Sequence, residues 1–360
     1  MKRRGILVML TLALLLSGCV SSEESSAPSE QSQPETVAVQ PAAAIARHAG
    51  ELDWLAQAAA DGPLLAADPE QGQYLQMLSA SNGGGSVLRL WEDEESQDLY
   101  TGKLMAAGWA ENGSVLVFAD SEPPALVRLA PDQDPAVTPL ASGGEVRGAG
   151  FQNGQLCLWE GENQIRWYAP DGQLLRQLHL SGYEIGFAEV RSDAPLLIAA
   201  KREDTPLFLT VGADASLLKE APYPRNSRLY SACWTEAGIY AVTGEEEGAD
   251  DPDRTPKKLV FFPADGGEMQ SRDLTGPAAL YSGPSGVLLR YSYSPQDSGK
   301  LFAIEPAGFT LTQVDTEDLG LLHNVPQVIP TETGFLVLGE WMDTSYDLAW
   351  AALEITMALA

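Results

Sequence analysis

The chain has 360 residues, of which 50 are Asp or Glu and 22 are Lys or Arg, so its formal net charge is −28 at pH 7. A negative charge of this size repels the phosphates of nucleic acids and of anionic lipids, which argues against DNA or RNA binding. Only three histidines and three cysteines occur, and no metal-binding spacing links them.

The N-terminus reads as a secretion signal. Its sequence, "MKRRGILVMLTLALLLSGCV", has a basic start, an apolar core from Ile6 to Leu16 and small residues before Cys19. The stretch is too short to be a spanning helix, so residues 1–18 are predicted to be a signal peptide. The residues Leu16 to Cys19, "LSGC", resemble the bacterial lipobox. That resemblance implies that Cys19 is lipidated and anchors the mature chain to the membrane. The alternative is an ordinary secretion signal that ends in Cys.

Residues 19–40 are rich in Ser, Glu, Pro and Gln and contain "SSEESSAPSEQSQPE". Such a segment buries too little surface to fold, so we expect a flexible tether. A lipobox followed by a Ser/Glu tether resembles surface lipoproteins of Gram-positive bacteria. The second mature residue is Val20 and not Asp, so a hint of retention in a Gram-negative inner membrane is missing. A Gram-negative outer-membrane lipoprotein facing the periplasm stays open.

Two short elements are predicted before the repeats begin. Residues 35–40, "ETVAVQ", alternate and are β-branched, which is typical of a strand, although an extended linker fits equally well. Residues 41–61 are rich in Ala and predict a short helical segment.

From residue 62 to residue 356 one motif recurs: a short apolar strand, a Gly-containing turn and a second, more hydrophobic strand. Two copies are "GKLMAAGWAENGSVLVFA" and "GEVRGAGFQNGQLCLWE". The turns align at Gly72, Gly113, Gly154, Ala194, Gly238, Gly286 and Gly334. Spacings of roughly 40 to 48 residues, with about four strands each, indicate propeller blades. Seven copies predict an all-β chain folded as a seven-bladed β-propeller, with eight blades as the alternative.

The last repeat ends after its third strand, so the ring is expected to close with a strand from the N-terminal side, for which residues 35–40 are the candidate. The repeats resemble the WD40-like and quinoprotein-like propeller lipoproteins of bacteria, without a family-specific motif. This resemblance implies a fold and a location, because propellers carry many unrelated functions.

Two loops are candidate binding sites. One, in the fifth repeat, carries the carboxylates of Glu245, Glu246, Glu247, Asp250, Asp251 and Asp253. Oxygen-rich loops can bind calcium, but the order of ligands does not match an EF-hand, and a solvated loop is the alternative. The other, "EWMDTSYD" in the seventh repeat, places Trp341, Asp343 and Tyr346 at a hairpin tip. Exposed aromatic residues there suggest a contact site, unless they pack across the loop.

Other reactive or aromatic residues are interpreted as structural. Cys157 and Cys233 fall in non-adjacent repeats and are expected to be buried free thiols. The histidines, His48, His179 and His323, are scattered, and no metal site is predicted from them. We expect Trp109, Trp159 and Trp234 to pack between blades.

Two hypotheses follow. The first is a monomeric, non-catalytic binding or scaffolding module, without a cofactor, that engages a protein, peptide or glycan on a propeller face. The second is an extracellular hydrolase or lyase that acts on sugars or lactones through Glu111, Glu189 and Glu236. Glu111 and Glu236 stand at equivalent positions, two residues before the aligned Gly, which is typical of a turn residue. No hydrolase elbow or phosphate-binding loop is found, so no catalytic residue is assigned.

Overall fold

Six sequence repeats each form a four-stranded antiparallel sheet, and the seventh completes its sheet with a strand that precedes the repeats. The seven sheets surround a central channel as the blades of a β-propeller. The computed structural model describes residues 44–80, 85–131, 133–141, 143–190, 195–223, 227–245, 257–274, 276–291, 299–305, 309–316, 321–342 and 347–357. The prediction of seven blades is confirmed, and the eight-bladed alternative is wrong. No helix within these ranges is long and apolar enough to cross a bilayer.

The strands of blades one to four, from the channel outward, are β2 (Leu64–Asp68), β3 (Gln73–Ser79), β4 (Ser86–Glu92) and β5 (Glu95–Gly102); β6 (Leu104–Trp109), β7 (Val115–Ala119), β8 (Ala125–Leu129) and β9 (Ala136–Pro139); β10 (Val146–Gln152), β11 (Gln155–Glu160), β12 (Gln164–Tyr168) and β13 (Leu174–His179); and β14 (Glu184–Glu189), β15 (Leu196–Arg202), β16 (Thr205–Val211) and β17 (Leu217–Pro222).

Blades five to seven comprise β18 (Ser227–Thr235), β19 (Gly238–Glu245), β20 (Lys257–Pro263) and β21 (Gln270–Leu274); β22 (Ala278–Gly283), β23 (Gly286–Tyr291), β24 (Lys300–Glu305) and β25 (Thr310–Gln313); and β26 (Leu321–Pro330), β27 (Gly334–Met342), β28 (Leu348–Met357) and β1 (Ala44–His48). A short 3-10 helix (Gly50–Leu52) and helix α1 (Asp53–Asp61) connect β1 to the first blade.

Burial along a blade explains the repeat motif. The second strand lies in the middle of its sheet and between two neighbouring blades, so both of its faces are covered; all five residues of β7 are buried. A strand that is covered on both faces reads as a continuous apolar run. The outermost strands are less buried, and β13 has only exposed and half-buried residues. The two more hydrophobic strands of each repeat therefore form the core, which lies between adjacent blades.

The ring closes through β1, which pairs antiparallel with β28, from Ala44 opposite Met357 to His48 opposite Leu353. Closure by an N-terminal strand was expected, but this strand lies within residues 41–61, which were predicted to be helical. That part of the prediction is wrong, since an open sheet edge overrides the helix propensity of an Ala-rich stretch. The helix itself begins only at Asp53. The other candidate, residues 35–40, lies outside the described residues.

The two faces of the disc are built from different connections. Turns that join the first strand of a blade to the second, and the third to the fourth, share one face, which we call the turn face. Asn153 and Gly154, with φ angles of 50° and 67°, form one of these turns, as their sequence predicts. The connector face carries the hairpins between second and third strands and the links between blades. The thiols of Cys157 and Cys233 are both buried, and neither is in a disulfide, as expected.

Candidate functional site

Two cavities open beside the first strands, where the central channel meets the turn face. The first, of about 550 Å³, is called the channel-mouth cleft here; it is lined by Leu64, Leu65, Ala66, Ala67, Asp68, Pro69, Glu70, Trp109, Pro284, Gln327, Val328, Ile329, Pro330, Thr331 and Glu332. The second, of about 500 Å³, shares Leu65, Ala66, Ala67 and Trp109 with it and extends along the first strands of blades two to four. Trp109 therefore stands between two adjoining spaces.

Small residues on the first strands leave room for aromatic and aliphatic side chains from the next blade. A Cβ added to Gly108 would lie 3.0 Å from Cβ and Cγ of Phe151, and one added to Gly150 would lie 2.9 Å from Cβ of Val190. Phe151 and Val190 both line the second cavity. The run of Ala and Gly in "LMAAGW" and "VRGAGF" thus shapes the wall of the channel, because any larger residue would displace these neighbours.

Carboxylates from two blades border the channel-mouth cleft. Asp68 ends β2 and Glu70 belongs to the turn that follows it, while Glu332 belongs to the turn that follows β26. Asp68 is half-buried, while Glu70 and Glu332 are exposed. Burial, followed by the negative charges of Asp93 and Asp68, raises the pKa of the nearby Tyr74 phenol. The carboxylates thus create a negative potential at this edge of the channel.

The rest of the turn face is also acidic. Further carboxylates in its turns are Asp93, Glu94, Glu111, Asp134, Asp171, Asp214, Glu236, Asp265 and Glu268. Among the described residues, the cations near this face are Arg128, Arg176 and Lys219. Arg176 stacks on the ring of Trp167, 4.8 Å from its centroid, and Lys219 Nζ donates to the carbonyl oxygen of Pro263 at 2.7 Å.

Most other described cations lie near the connector face, at the ends of strands: Lys103, Arg147, Lys201, Arg202, Arg228, Lys257, Lys258, Arg290 and Lys300. The connector face carries carboxylates too, such as Asp120, Glu122, Glu203 and Asp204, whereas on the turn face the described carboxylates outnumber the described cations, which gives that face a negative field. Such a field steers cationic ligands toward that face.

The structure contradicts the prediction that Trp341 is exposed in a contact site. Trp341 lies in strand β27, is 2% exposed and belongs to a cluster of buried residues with Leu288, Leu322 and Val337. The prediction that it is an exposed aromatic residue is wrong, because blade seven packs against blade six at this position. The alternative, that it packs within the protein, is what the structure shows. Asp343 and Tyr346 lie outside the described residues.

The acidic loop of the fifth repeat begins at Glu245, the last residue of β19. Glu246, Glu247, Asp250, Asp251 and Asp253 lie outside the described residues, so calcium binding there stays a prediction. The strand ends that flank this loop, and those that flank Asp343 and Tyr346, are on the connector face, opposite the channel-mouth cleft. Within the described ranges, no three His, Cys, Asp or Glu side chains are close enough to hold a metal ion. Cys19 also precedes the described residues.

The three candidate catalytic glutamates are not brought together. Glu111 and Glu236 occupy turns in blades two and five and are exposed, whereas Glu189 ends β14 in blade four. Glu236 lines a separate cavity of about 730 Å³ with Asp265 and Glu268, and neither Glu111 nor Glu189 lines the channel-mouth cleft.

The position of Trp109 at the two cavities was not predicted from the sequence. Trp109 packs partly against a cluster between blades, as expected, but it also lines both cavities. Its place at the end of a first strand, directly before the turn, was the available signal, since that strand lines the channel. Trp159 and Trp234 pack against the buried clusters, as predicted.

Solved structures share this fold at low sequence identity. The polysaccharide lyase Uly1 is 9% identical to the chain with a TM-score of 0.52, and the match covers 83% of this chain and 90% of that one. The WD40 β-propeller domain of Doa1 is 14% identical with a TM-score of 0.50, over 82% of this chain and 93% of that one. BamB from Moraxella catarrhalis is 12% identical with a TM-score of 0.39, over 77% and 84%.

At these identities the likeness shows the fold alone. No protein-family model and no curated protein matches the sequence. The fold-level resemblance to a WD40 propeller is confirmed, and the protein is a seven-bladed β-propeller.

Proposed function

We propose that this protein is a lipid-anchored, extracytoplasmic binding module without catalytic activity, and that its ligand is a protein or peptide held at the channel-mouth cleft. The observation that carries the proposal is the cleft itself, where the aromatic ring of Trp109 and an apolar floor meet carboxylates from two blades. Concave apolar sites with a few polar groups at their edge are the usual form of a binding site. A glycan is the alternative ligand.

Anchoring is proposed from the sequence around Cys19, and the position of β1 is compatible with it. Ala44, the first residue of β1, lies opposite Met357, whose N–H donates to the carbonyl oxygen of Thr333 at 2.9 Å in a turn of blade seven. The chain therefore enters the propeller at the turn face. An unfolded tether from Cys19 to Ala44 would span on the order of 30 Å, enough to hold the propeller above a lipid surface. A Gram-positive cell surface is favoured, and the periplasmic face of an outer membrane is the alternative.

The anchor is tested by metabolic labelling with palmitate, comparing the native chain with a Cys19→Ala variant. Label and membrane sedimentation are both expected to disappear in the variant. A chain that keeps its label, or that was never labelled, would contradict the anchored function.

The ligand site is tested by photo-crosslinking in the native envelope. A photoreactive residue in place of Thr331, in the cleft, is expected to give a defined product. The same residue in place of Val137, which is 60% exposed on an outer strand, is expected to give none. Adding Trp109→Ala should remove the product while the circular dichroism spectrum is kept. A crosslinked product that persists in the Trp109→Ala variant, or equal products from both positions, would exclude the cleft as the binding site.

The hydrolase or lyase alternative has less support. It needs carboxylates that converge on one substrate, and none of the three candidates lines the channel-mouth cleft. Turnover of a sugar or lactone that Trp109→Ala abolishes would favour it over the binding module.

A further inference from the structure

The channel-mouth cleft combines an apolar floor with an edge of one charge. Leu65, Ala67 and Val328 contribute aliphatic surface, and Trp109 contributes an aromatic ring. Asp68, Glu70 and Glu332 supply the edge, and no Lys or Arg is among the lining residues. A ligand that fills this space has to bring apolar surface to the floor and can gain further free energy from positive charge at the edge.

The carboxylates at the edge of the cleft are not taken up in ion pairs with described residues. Among the residues that the structure describes, no Lys, Arg or His forms an ion pair with Asp68, Glu70 or Glu332. Oδ1 of Asp68 accepts a hydrogen bond from the backbone N–H of Gln71 at 3.2 Å, and Oδ2 takes no part in that bond. Arg191, which follows β14 in the chain, lies outside the described residues.

The size of the cleft limits what can enter it. A cavity of about 550 Å³ accommodates a few side chains, which is within the range of sites for small ligands and peptide anchors. A folded partner could therefore insert only a protruding segment. A segment in which basic residues flank an aliphatic or aromatic residue matches both the floor and the edge.

We propose that the channel-mouth cleft recognises a cationic peptide segment. Its apolar residue lies against Trp109 between blades one, two and seven, and its Lys or Arg side chains pair with Asp68, Glu70 and Glu332. This inference rests on the proposed binding function and specifies the chemistry of the ligand. The acidic turn face steers the segment toward the cleft, so association depends strongly on ionic strength.

The test is fluorescence anisotropy with the full chain, purified in a non-ionic detergent. The probe is a short labelled peptide that alternates Lys and Leu. Matched peptides carry Gln or Glu in place of Lys. The Lys peptide should bind, the Gln peptide about tenfold more weakly and the Glu peptide not at all. High salt should weaken binding of the Lys peptide by about tenfold.

Two triple variants separate the cleft from the general charge of the face. Asp68→Asn/Glu70→Gln/Glu332→Gln should weaken binding of the Lys peptide about tenfold or more. The matched control, Glu94→Gln/Asp134→Asn/Glu268→Gln, removes the same charge from exposed turn residues outside the cleft; it should change binding by less than about twofold. Equal losses in both variants would mean that the peptide is attracted by the whole face, and the proposal would be wrong.

The outcomes also distinguish cationic recognition from the proposed binding function on which it rests. If the Lys peptide does not bind better than the Gln peptide, but the photo-crosslink at Thr331 still depends on Trp109, the binding module stands and cationic recognition is overturned. If the crosslink fails as well, both are overturned. Binding of a neutral glycan to the cleft would replace the peptide as ligand.

Discussion

The side-chain amide of Gln327 pairs with the backbone of Leu64 through both of its polar atoms. The N–H of Leu64 donates to Oε1 at 2.8 Å, and Nε2 donates to the carbonyl oxygen of Leu64 at 2.6 Å. The pair joins the first strand of blade seven to that of blade one. The ring is therefore closed twice, by β1 at its outer edge and by Gln327 beside the channel.

Replacing Gln327 by Ala should lower the free energy of unfolding by about 2–3 kcal/mol, because two part-buried backbone groups lose their partner. Urea denaturation followed by circular dichroism measures the change. The control is Gln73→Ala, which removes an exposed hydrogen bond to Glu92 and should cost less than about 0.5 kcal/mol. Equal effects would mean that the hydrogen bonds between Gln327 and Leu64 do not contribute to closing the ring.

Removing the closing strand should destabilise the whole ring. A chain that begins at Ala44 keeps β1 and should unfold at the same temperature as the mature chain. A chain that begins at Ala49 exposes the edge of β28 and removes Ala44 and Ala46 from the cluster they pack against. It should unfold at a markedly lower temperature and aggregate, since an unpaired edge strand recruits other chains. Thermal denaturation with light scattering compares the two. Equal melting temperatures would show that β1 is dispensable.

Gly108→Ala should distort the channel wall. Its new Cβ would lie 3.0 Å from Cβ and Cγ of Phe151, and overpacking of this kind costs about 1–3 kcal/mol. Gly186→Ala is the matched control on another first strand, since the nearest atom to its Cβ would be the carbonyl oxygen of Ala199 at 3.8 Å. Denaturation should show a loss only for Gly108→Ala, and adding Phe151→Leu should recover part of it. Losses of the same size at both glycines would contradict this account of the wall.

Stability should fall at alkaline pH. Burial raises the pKa of the Cys157 thiol from 9.0 to about 12, against the opposing effect of Arg176. The folded state thus favours the protonated thiol, whose contribution is complete below pH 9 and is lost as the pH rises toward 12. Burial also raises the pKa values of Tyr74 and Tyr168 from 10.0, so these phenols add to the same loss as the pH rises above 10.

The Cys157→Val variant should therefore lose less stability between pH 9 and pH 12 than the native chain, by a few kcal/mol at most. Urea midpoints across this range measure the difference. Native Cys157 should also resist alkylation at pH 8 until the protein unfolds. Parallel pH profiles for the two chains, or rapid alkylation of the folded state, would contradict the burial of this thiol.

The third repeat shows how much of the fold its own residues predict. The stretch "FQNGQLCLWEGENQIRWYAPDGQLLRQLHL" contains three short apolar runs, and in the structure these runs form β11, β12 and β13. The turn residues Asn153-Gly154 and Asp171-Gly172 precede β11 and β13. Turn residues and alternation act over a few positions along the chain, so they can be recognised without knowledge of the neighbours. Repetition of that local pattern then predicts the number of blades.

The candidate site is formed by contacts between residues that are far apart in the chain, so no local sequence pattern could predict it. Trp109 and Trp341 both belong to hydrophobic strands, yet Trp341 is buried between blades and Trp109 lines the cleft. Asp68 and Glu332 are separated by most of the chain and border one cavity only because the ring closes. Exposure and convergence are properties of the assembled ring.

The amino-acid sequence by itself determined the class of fold, the count of seven blades, the free thiols and the acidic character of the protein. Each of these follows from the period, the turn residues or the composition. The tertiary structure alone decided that Ala44–His48 closes the ring, that Trp341 is buried and that carboxylates meet Trp109 at the channel mouth. The physical reason is that an unpaired edge strand forms hydrogen bonds with any extended segment that reaches it, and that the burial of a residue is set by neighbours outside its own stretch of sequence.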